Sequence, residues 1–146
     1  MSILFKTHAG EIKKISERSF QRIFNVHYCS RLIAPRELSP TPLTQIPALT
    51  YIQKIDDSVG YGLFAFKDIR ALEIIGEYTG VLSTSWDEGP SDQSDFNPYL
   101  LKYPVDFLCA IDAQKSGNET RFINHSSKKA NCERRYQQEE NVFRVI

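Results

Sequence analysis

The sequence has no surplus of either charge: Lys plus Arg and Asp plus Glu both number 18 in 146 residues, for a formal net charge of zero. No global field therefore draws the chain to nucleic acid or to an anionic membrane, and a basic partner has to be gripped locally. Cysteine is scarce. Cys29, Cys109 and Cys132 form no CxxC or CxC pair, which argues against a zinc cluster or a disulfide framework and makes reduced thiols the expectation. Long apolar runs are missing as well. Nothing approaches the roughly 18 uninterrupted apolar residues that a membrane span requires, and the N-terminus lacks the apolar run of a secretion signal. A soluble protein with one core is the expectation, since 146 residues at 41% hydrophobic are ordinary for a single domain.

What charge there is lies unevenly. Residues 1–48 hold seven Lys/Arg against three Asp/Glu, while Asp87, Glu88, Asp92 and Asp95 crowd one stretch without a base. That stretch reads as a solvated loop, with a basic peptide as the functional alternative. From Glu11 to Val26, Ile12, Ile15, Ser19, Ile23 and Val26 recur at helical spacing with Lys13, Lys14, Glu17, Arg18 and Arg22 between them. This predicts an amphipathic helix that packs on the protein; a basic docking helix is the competing reading. Pro35, Pro40, Pro42 and Pro47 then remove backbone donors too often for a helix or a central strand. The chain thus divides into an N-terminal helical appendage with a Pro-rich linker, residues 1–48, and a second part, residues 49–146. In the second part the apolar runs Leu49–Ile55, Gly62–Phe66, Glu73–Leu82, Tyr99–Tyr103 and Phe107–Ile111 are short, β-rich and bounded by Gly, Pro, Asp or Ser. A mainly β domain of short strands follows.

Three segments carry chemistry. Gly60-Tyr61-Gly62 places two glycines around an aromatic residue, where a backbone takes positive φ or lies close against a ligand; alone, the pattern is also that of a hairpin turn. Arg121-Phe122-Ile123-Asn124-His125-Ser126, with Asn131-Cys132 beyond it, sets a polar pair directly after an apolar one. Asn124 offers a carbonyl and two donors, and His125 its ring and backbone, which suits the polar ends of a nucleoside-amino acid ligand; a turn is the alternative. Between them lies Ile74-Ile75-Gly76-Glu77-Tyr78-Thr79-Gly80, strand-like in composition.

In this order and spacing, from about Tyr51 to Ile146, the three segments resemble the SET domain of protein-lysine methyltransferases. Ile111-Asp112-Ala113 and Gly117-Asn118 resemble the family's elements ahead of the Asn-His motif; Asp112 is expected to serve structure, not chemistry. The resemblance implies the SET fold of small sheets with a pseudoknot-like C-terminal region, and S-adenosylmethionine as cofactor. It implicates Gly60, Tyr61 and Gly62 as the backbone wrapping the cofactor, Asn124 at its amino-acid end and His125 at its adenine. Tyr78 would line the lysine channel, and Tyr99 is the second channel tyrosine, with Tyr103 as competitor if the register slips. Ser127 and Lys128-Lys129-Ala130 depart from the family pattern in the loop that follows Asn-His-Ser.

The implied reaction is SN2 transfer of a methyl group from a sulfonium to a neutral lysine amine, catalysed by alignment and water exclusion and needing no metal. Tyrosines suit it: their rings wall an apolar tube while their hydroxyls orient the amine. The resemblance further implies a basic protein substrate such as a histone tail, no direct nucleic-acid or membrane partner, and a nuclear, cytoplasmic or host-directed site of action. After Val142-Phe143-Arg144-Val145-Ile146 no residue matches the family's last segment, which supplies a further tyrosine. The alternative expectation is accordingly a SET-like binding module with impaired catalysis.

Overall fold

The computed structural model describes residues 3–34, 48–83, 97–102, 110–139 and 142–145. The four prolines Pro35, Pro40, Pro42 and Pro47, the acidic stretch Asp87–Asp95, Tyr103 and Cys109 lie outside the described residues.

Strand β1 (Ile3–Lys6) turns at Thr7–Gly10 into antiparallel β2 (Ile12–Ile15), with Ile3 opposite Ile15 and Lys6 opposite Ile12. Gly10 N–H donates to Thr7 O at 2.9 Å, and Gly10 takes φ 86°, the left-handed geometry such a turn needs. The continuous helix expected from Glu11 to Val26 is thus corrected: its first third is a strand, and α1 is Glu17–Phe24 alone. Two isoleucines three apart in Ile12-Lys13-Lys14-Ile15 fit a helix period, but β1 offers their backbone a ladder. Ser16 then starts α1 as its N-cap, accepting from Ser19 N–H at 3.1 Å, and Asn25 ends it at φ 54°.

Strands β4 (Thr50–Asp56) and β5 (Gly60–Ala65) form a second hairpin; β3 (His27–Tyr28) precedes it in the chain. β1 joins the two hairpins by pairing parallel to β4, Phe5 opposite Ile52, so the sheet order is β2-β1-β4-β5. The N-terminal segment is therefore stitched to the rest through a shared sheet. It also shares a core, in which Ile3, Phe20, Val26 and Tyr28 pack with Ile52 and Phe122, Phe20 and Ile52 without measurable exposure.

A second sheet, of order β6-β8-β7, comprises β6 (Val81–Ser83), β7 (Leu100–Lys102) and β8 (Ala110–Asp112). Leu32, Leu82, Leu101 and Ile111 make its core, with Ala34 and Tyr78 packed against it. β9 (Ser116–Gly117) pairs parallel with β3, and a hairpin of β10 (Tyr136–Glu139) and β11 (Val142–Val145) follows. The fold is mainly β in small sheets, as the sequence led us to expect, with strand limits within two residues for β4 and β5.

The strand expected over Glu73–Leu82 needs correction. Only Val81–Ser83 is strand, and Tyr78 stands in irregular backbone. The cause is local: Glu77 O accepts from the side chains of Asn118 (2.9 Å) and Thr120 (3.2 Å), so no neighbouring strand is needed to satisfy it.

Candidate functional site

The segment that organises the site is a 3-10 turn, Glu119–Phe122. Asn118 caps it, its Oδ1 accepting from Thr120 N–H at 3.0 Å and lying 2.6 Å from Thr120 Oγ1. Gly76 passes so close that a Cβ there would sit 2.7 Å from Thr120 Cγ2. The Gly76-Glu77-Tyr78 backbone is in this way bolted to the turn.

From the turn and the residues after it, three side chains reach three distant segments. The Arg121 guanidinium lies 3.7 Å from the centroid of the Tyr99 ring. The Phe122 ring stands 4.8 Å from Phe24 and 6.1 Å from Tyr61, centroid to centroid. Asn124 approaches Gly62, where an added Cβ would fall 3.0 Å from Asn124 Nδ2 and 2.8 Å from Ile55 Cδ1.

The residues singled out in the sequence thus fall into two groups. Gly62 meets Asn124; Gly60 stands two residues away at the β4–β5 turn with φ 82° and open space where a Cβ would point. The turn itself is held by Asp56 Oδ1, which accepts from Ser58 N–H at 2.8 Å and Val59 N–H at 2.7 Å. The Tyr61 ring is committed to Phe24, 5.0 Å away and perpendicular, and its backbone lies in the β4–β5 ladder opposite Lys54. Asn124 and His125 are both exposed. In the second group, Tyr78 Oη donates to Tyr99 O at 2.8 Å. Burial pushes the Tyr78 phenol up to about 12, against the opposing pull of Arg121, so its hydroxyl is a neutral donor at physiological pH. Asp112 has the structural role expected of it, its Oδ1 accepting from Gln114 N–H at 2.8 Å and Asn97 Nδ2 at 3.0 Å.

Arg121, only 8% exposed, had no role assigned from sequence. Its Nε donates to Ala113 O at 2.8 Å and Nη2 to Gln114 O at 3.3 Å, and burial lowers its pKa. The signal for it was present, an arginine beside an apolar pair, but nothing local reveals which ring it will cover. Tyr61, Tyr99, Arg121 and Phe122 line one cleft of about 510 Å³, which Phe24 and Lys115 help to close.

Short strands in small sheets, gathered around a turn that brings together a glycine loop, an asparagine and two tyrosines, define a mainly β domain of small sheets. The family model of the SET domain matches residues 60–146, and this chain belongs to the SET-domain family. It is 39% identical over 80 residues to the histone-lysine N-methyltransferase ASHH1 of Arabidopsis thaliana, a match covering 52% of this chain and 16% of that protein. It is 42% identical over 77 residues to the histone-lysine N-methyltransferase trithorax of Drosophila virilis, covering 50% of this chain and 2% of that one. The match thus spans a small part of either relative. Among solved structures, Arabidopsis thaliana SUVH6 in complex with SAM shares the fold, with TM-score 0.58, 17% identity, and coverage of 82% of this chain and 41% of that one.

Proposed function

We propose that this chain transfers methyl groups from S-adenosylmethionine to lysine side chains of proteins, with histones as the substrate class. The observation that carries the reading is the convergence on one turn: Arg121 on Tyr99, Phe122 on Tyr61, and Asn124 on Gly62. Relatives 39% and 42% identical over about half of this chain are named histone-lysine N-methyltransferases, and a structure of the same fold is in complex with SAM.

The residues present fit such a cofactor. Space is open at Gly60, a Cβ at Gly62 would crowd the Ile55 and Asn124 side chains, and the exposed Asn124 carboxamide and His125 supply directional donors and acceptors beside them. Gly60, Tyr61 and Gly62 would hold it by backbone, and Asn124 and His125 by its polar ends. When bound, S-adenosylmethionine supplies an electrophilic methyl on a sulfonium. The protein's part is to align the amine and exclude water, worth much of the barrier in an SN2 transfer. Tyr78 and Tyr99 would wall the lysine channel. With its phenol neutral, Tyr78 orients an amine through its hydroxyl oxygen and does not serve as a base. A basic protein tail is the partner this site suits, in whatever compartment chromatin is reached.

The test is calorimetric titration of the chain with S-adenosylmethionine and S-adenosylhomocysteine, alongside Asn124→Ala, followed by mass spectrometry of core histones incubated with the chain and S-adenosylmethionine. Binding lost in Asn124→Ala, with methylated lysine formed by the unmodified chain, supports the reading. Absence of both cofactor binding and methylated lysine overturns it.

A further inference from the structure

Arg121 closes a circuit with Tyr99. Tyr99 O accepts from Ala113 N–H at 3.1 Å; Ala113 O accepts from Arg121 Nε at 2.8 Å; and the Arg121 guanidinium returns to cover the Tyr99 ring at 3.7 Å. The Tyr99 backbone is pinned again by its own N–H on Asn97 Oδ1 at 2.9 Å and by Tyr78 Oη on its carbonyl. With the backbone fixed, the ring's remaining freedom is rotation about its two side-chain bonds. A flat cation lying against its face removes that freedom, and only arginine presents a plane whose edge donors are already anchored.

Burying a guanidinium costs free energy unless its donors are met, and here two carbonyls and two ring faces receive it, Phe122 at 5.0 Å being the second. The arrangement is expensive for a spacer, since a methionine or leucine would fill the same volume without the desolvation. From this geometry we infer that Arg121 is a positioning residue for the transfer reaction: it locks the Tyr99 ring as one rigid wall of the lysine channel and thereby sets how bulky an amine the channel admits. The inference rests on the methyl-transfer reading and extends it to the number of methyl groups added.

The experiment compares the full chain with Arg121→Lys, which keeps the charge and the stem but loses the plate and its fork. Core histones and S-adenosylmethionine are the probes, and mono-, di- and trimethyl-lysine are counted by mass spectrometry beside kcat, KM and S-adenosylhomocysteine affinity. Expected are unchanged cofactor affinity, a histone KM within about twofold, and kcat lower by roughly 10- to 100-fold, as for a misplaced reacting group. The product distribution shifts toward higher methylation states, because a loosened wall admits a bulkier amine. A purely structural role lowers total product in proportion to the folded fraction and leaves the distribution unchanged; that result overturns the inference while leaving methyl transfer intact.

A second measurement does not depend on how Arg121→Lys folds. In the unmodified chain the Arg121 Nε–H proton resonance should be moved upfield by the Tyr99 ring current, and Tyr99→Leu should return it. An unshifted resonance overturns the stacked geometry. A chain that neither binds cofactor nor methylates histones overturns the methyl-transfer reading itself, and the assigned role with it.

Discussion

Asn124 stands so close to Gly62 that a single methyl group on the glycine would fall 3.0 Å from its amide nitrogen. The two residues are far apart in sequence, and the contact couples the Gly60–Gly62 loop to the Asn-His pair. The predicted Gly62→Ala variant loses roughly 1–2 kcal/mol of stability, since Ile55 and Asn124 can give way as flexible ends. Its S-adenosylhomocysteine affinity should fall about tenfold, and Gly62→Ala with Asn124→Ala should cost less than the sum of the two, because both act through one contact. Calorimetry on the three variants checks this; strict additivity would count against the coupling.

Gly80 meets a harder neighbour. A Cβ there would collide with the carbonyl oxygen of Asp112 and lie 2.8 Å from its carbonyl carbon, in backbone of β8 that also pairs with β6 and β7. Gly80→Ala is predicted to cost about 3 kcal/mol or more, at the upper end of overpacking. Urea denaturation reads it directly, and a loss under 1 kcal/mol would be inconsistent with a rigid approach.

Tyr78→Phe removes the hydroxyl that donates to Tyr99 O but leaves that carbonyl its bond from Ala113 N–H. Stability should fall by only about 0.5–1.5 kcal/mol. Under the proposed function kcat/KM should fall further, by about tenfold, because the amine loses its orienting oxygen. Parallel denaturation and kinetic measurements separate the two.

Glu119 accepts from Tyr28 Oη at 3.1 Å, and burial raises its carboxyl above the ordinary range despite that bond. Between its unfolded and folded pKa, the folded chain therefore keeps a proton that the unfolded chain has released. Linkage gives the sign: this group favours the fold most below the unfolded carboxyl pKa, and the benefit declines as pH rises through that value toward the folded one. Glu119→Gln keeps an acceptor for Tyr28 without the charge. It should melt higher than the parent at neutral pH and flatten the slope of stability above pH ~4. A steeper slope in the variant would contradict the assignment.

Ser16→Ala tests the revised start of α1. Loss of the cap that accepts from Ser19 N–H should cost about 1 kcal/mol. A neutral result in thermal melts would return the helix start to an earlier residue.

The candidate site was legible through the combination of motifs, not through any one of them. Two glycines around Tyr61, and Asn124-His125 after Phe122-Ile123, each read alone as a turn; their order and spacing pointed to a shared site, and the structure brings Gly62 to Asn124 and Tyr78 to Tyr99. What stayed hidden depends on partners distant in sequence. Ile12-Lys13-Lys14-Ile15 satisfies a helix period, and only the presence of β1 makes it a strand. Gly76-Glu77-Tyr78 has the composition of a strand, yet its carbonyl is met by Asn118 and Thr120 side chains. Arg121 shows the same limit: a charged residue entering the interior looks like an error until the ring it covers is in place.

The pairing of early strands with late ones also sets a timetable. Tyr28 finds Glu119 across 91 residues, and Phe20 waits for Phe122 to complete its surroundings. At about 5–20 residues per second of synthesis, the roughly 100 residues between those two rings take on the order of 5–20 s to emerge. During that interval α1 carries an apolar face with its final neighbour still unmade. Until then α1 is a segment of the nascent chain that gains from shielding, and closing such distant pairs is a slow folding step.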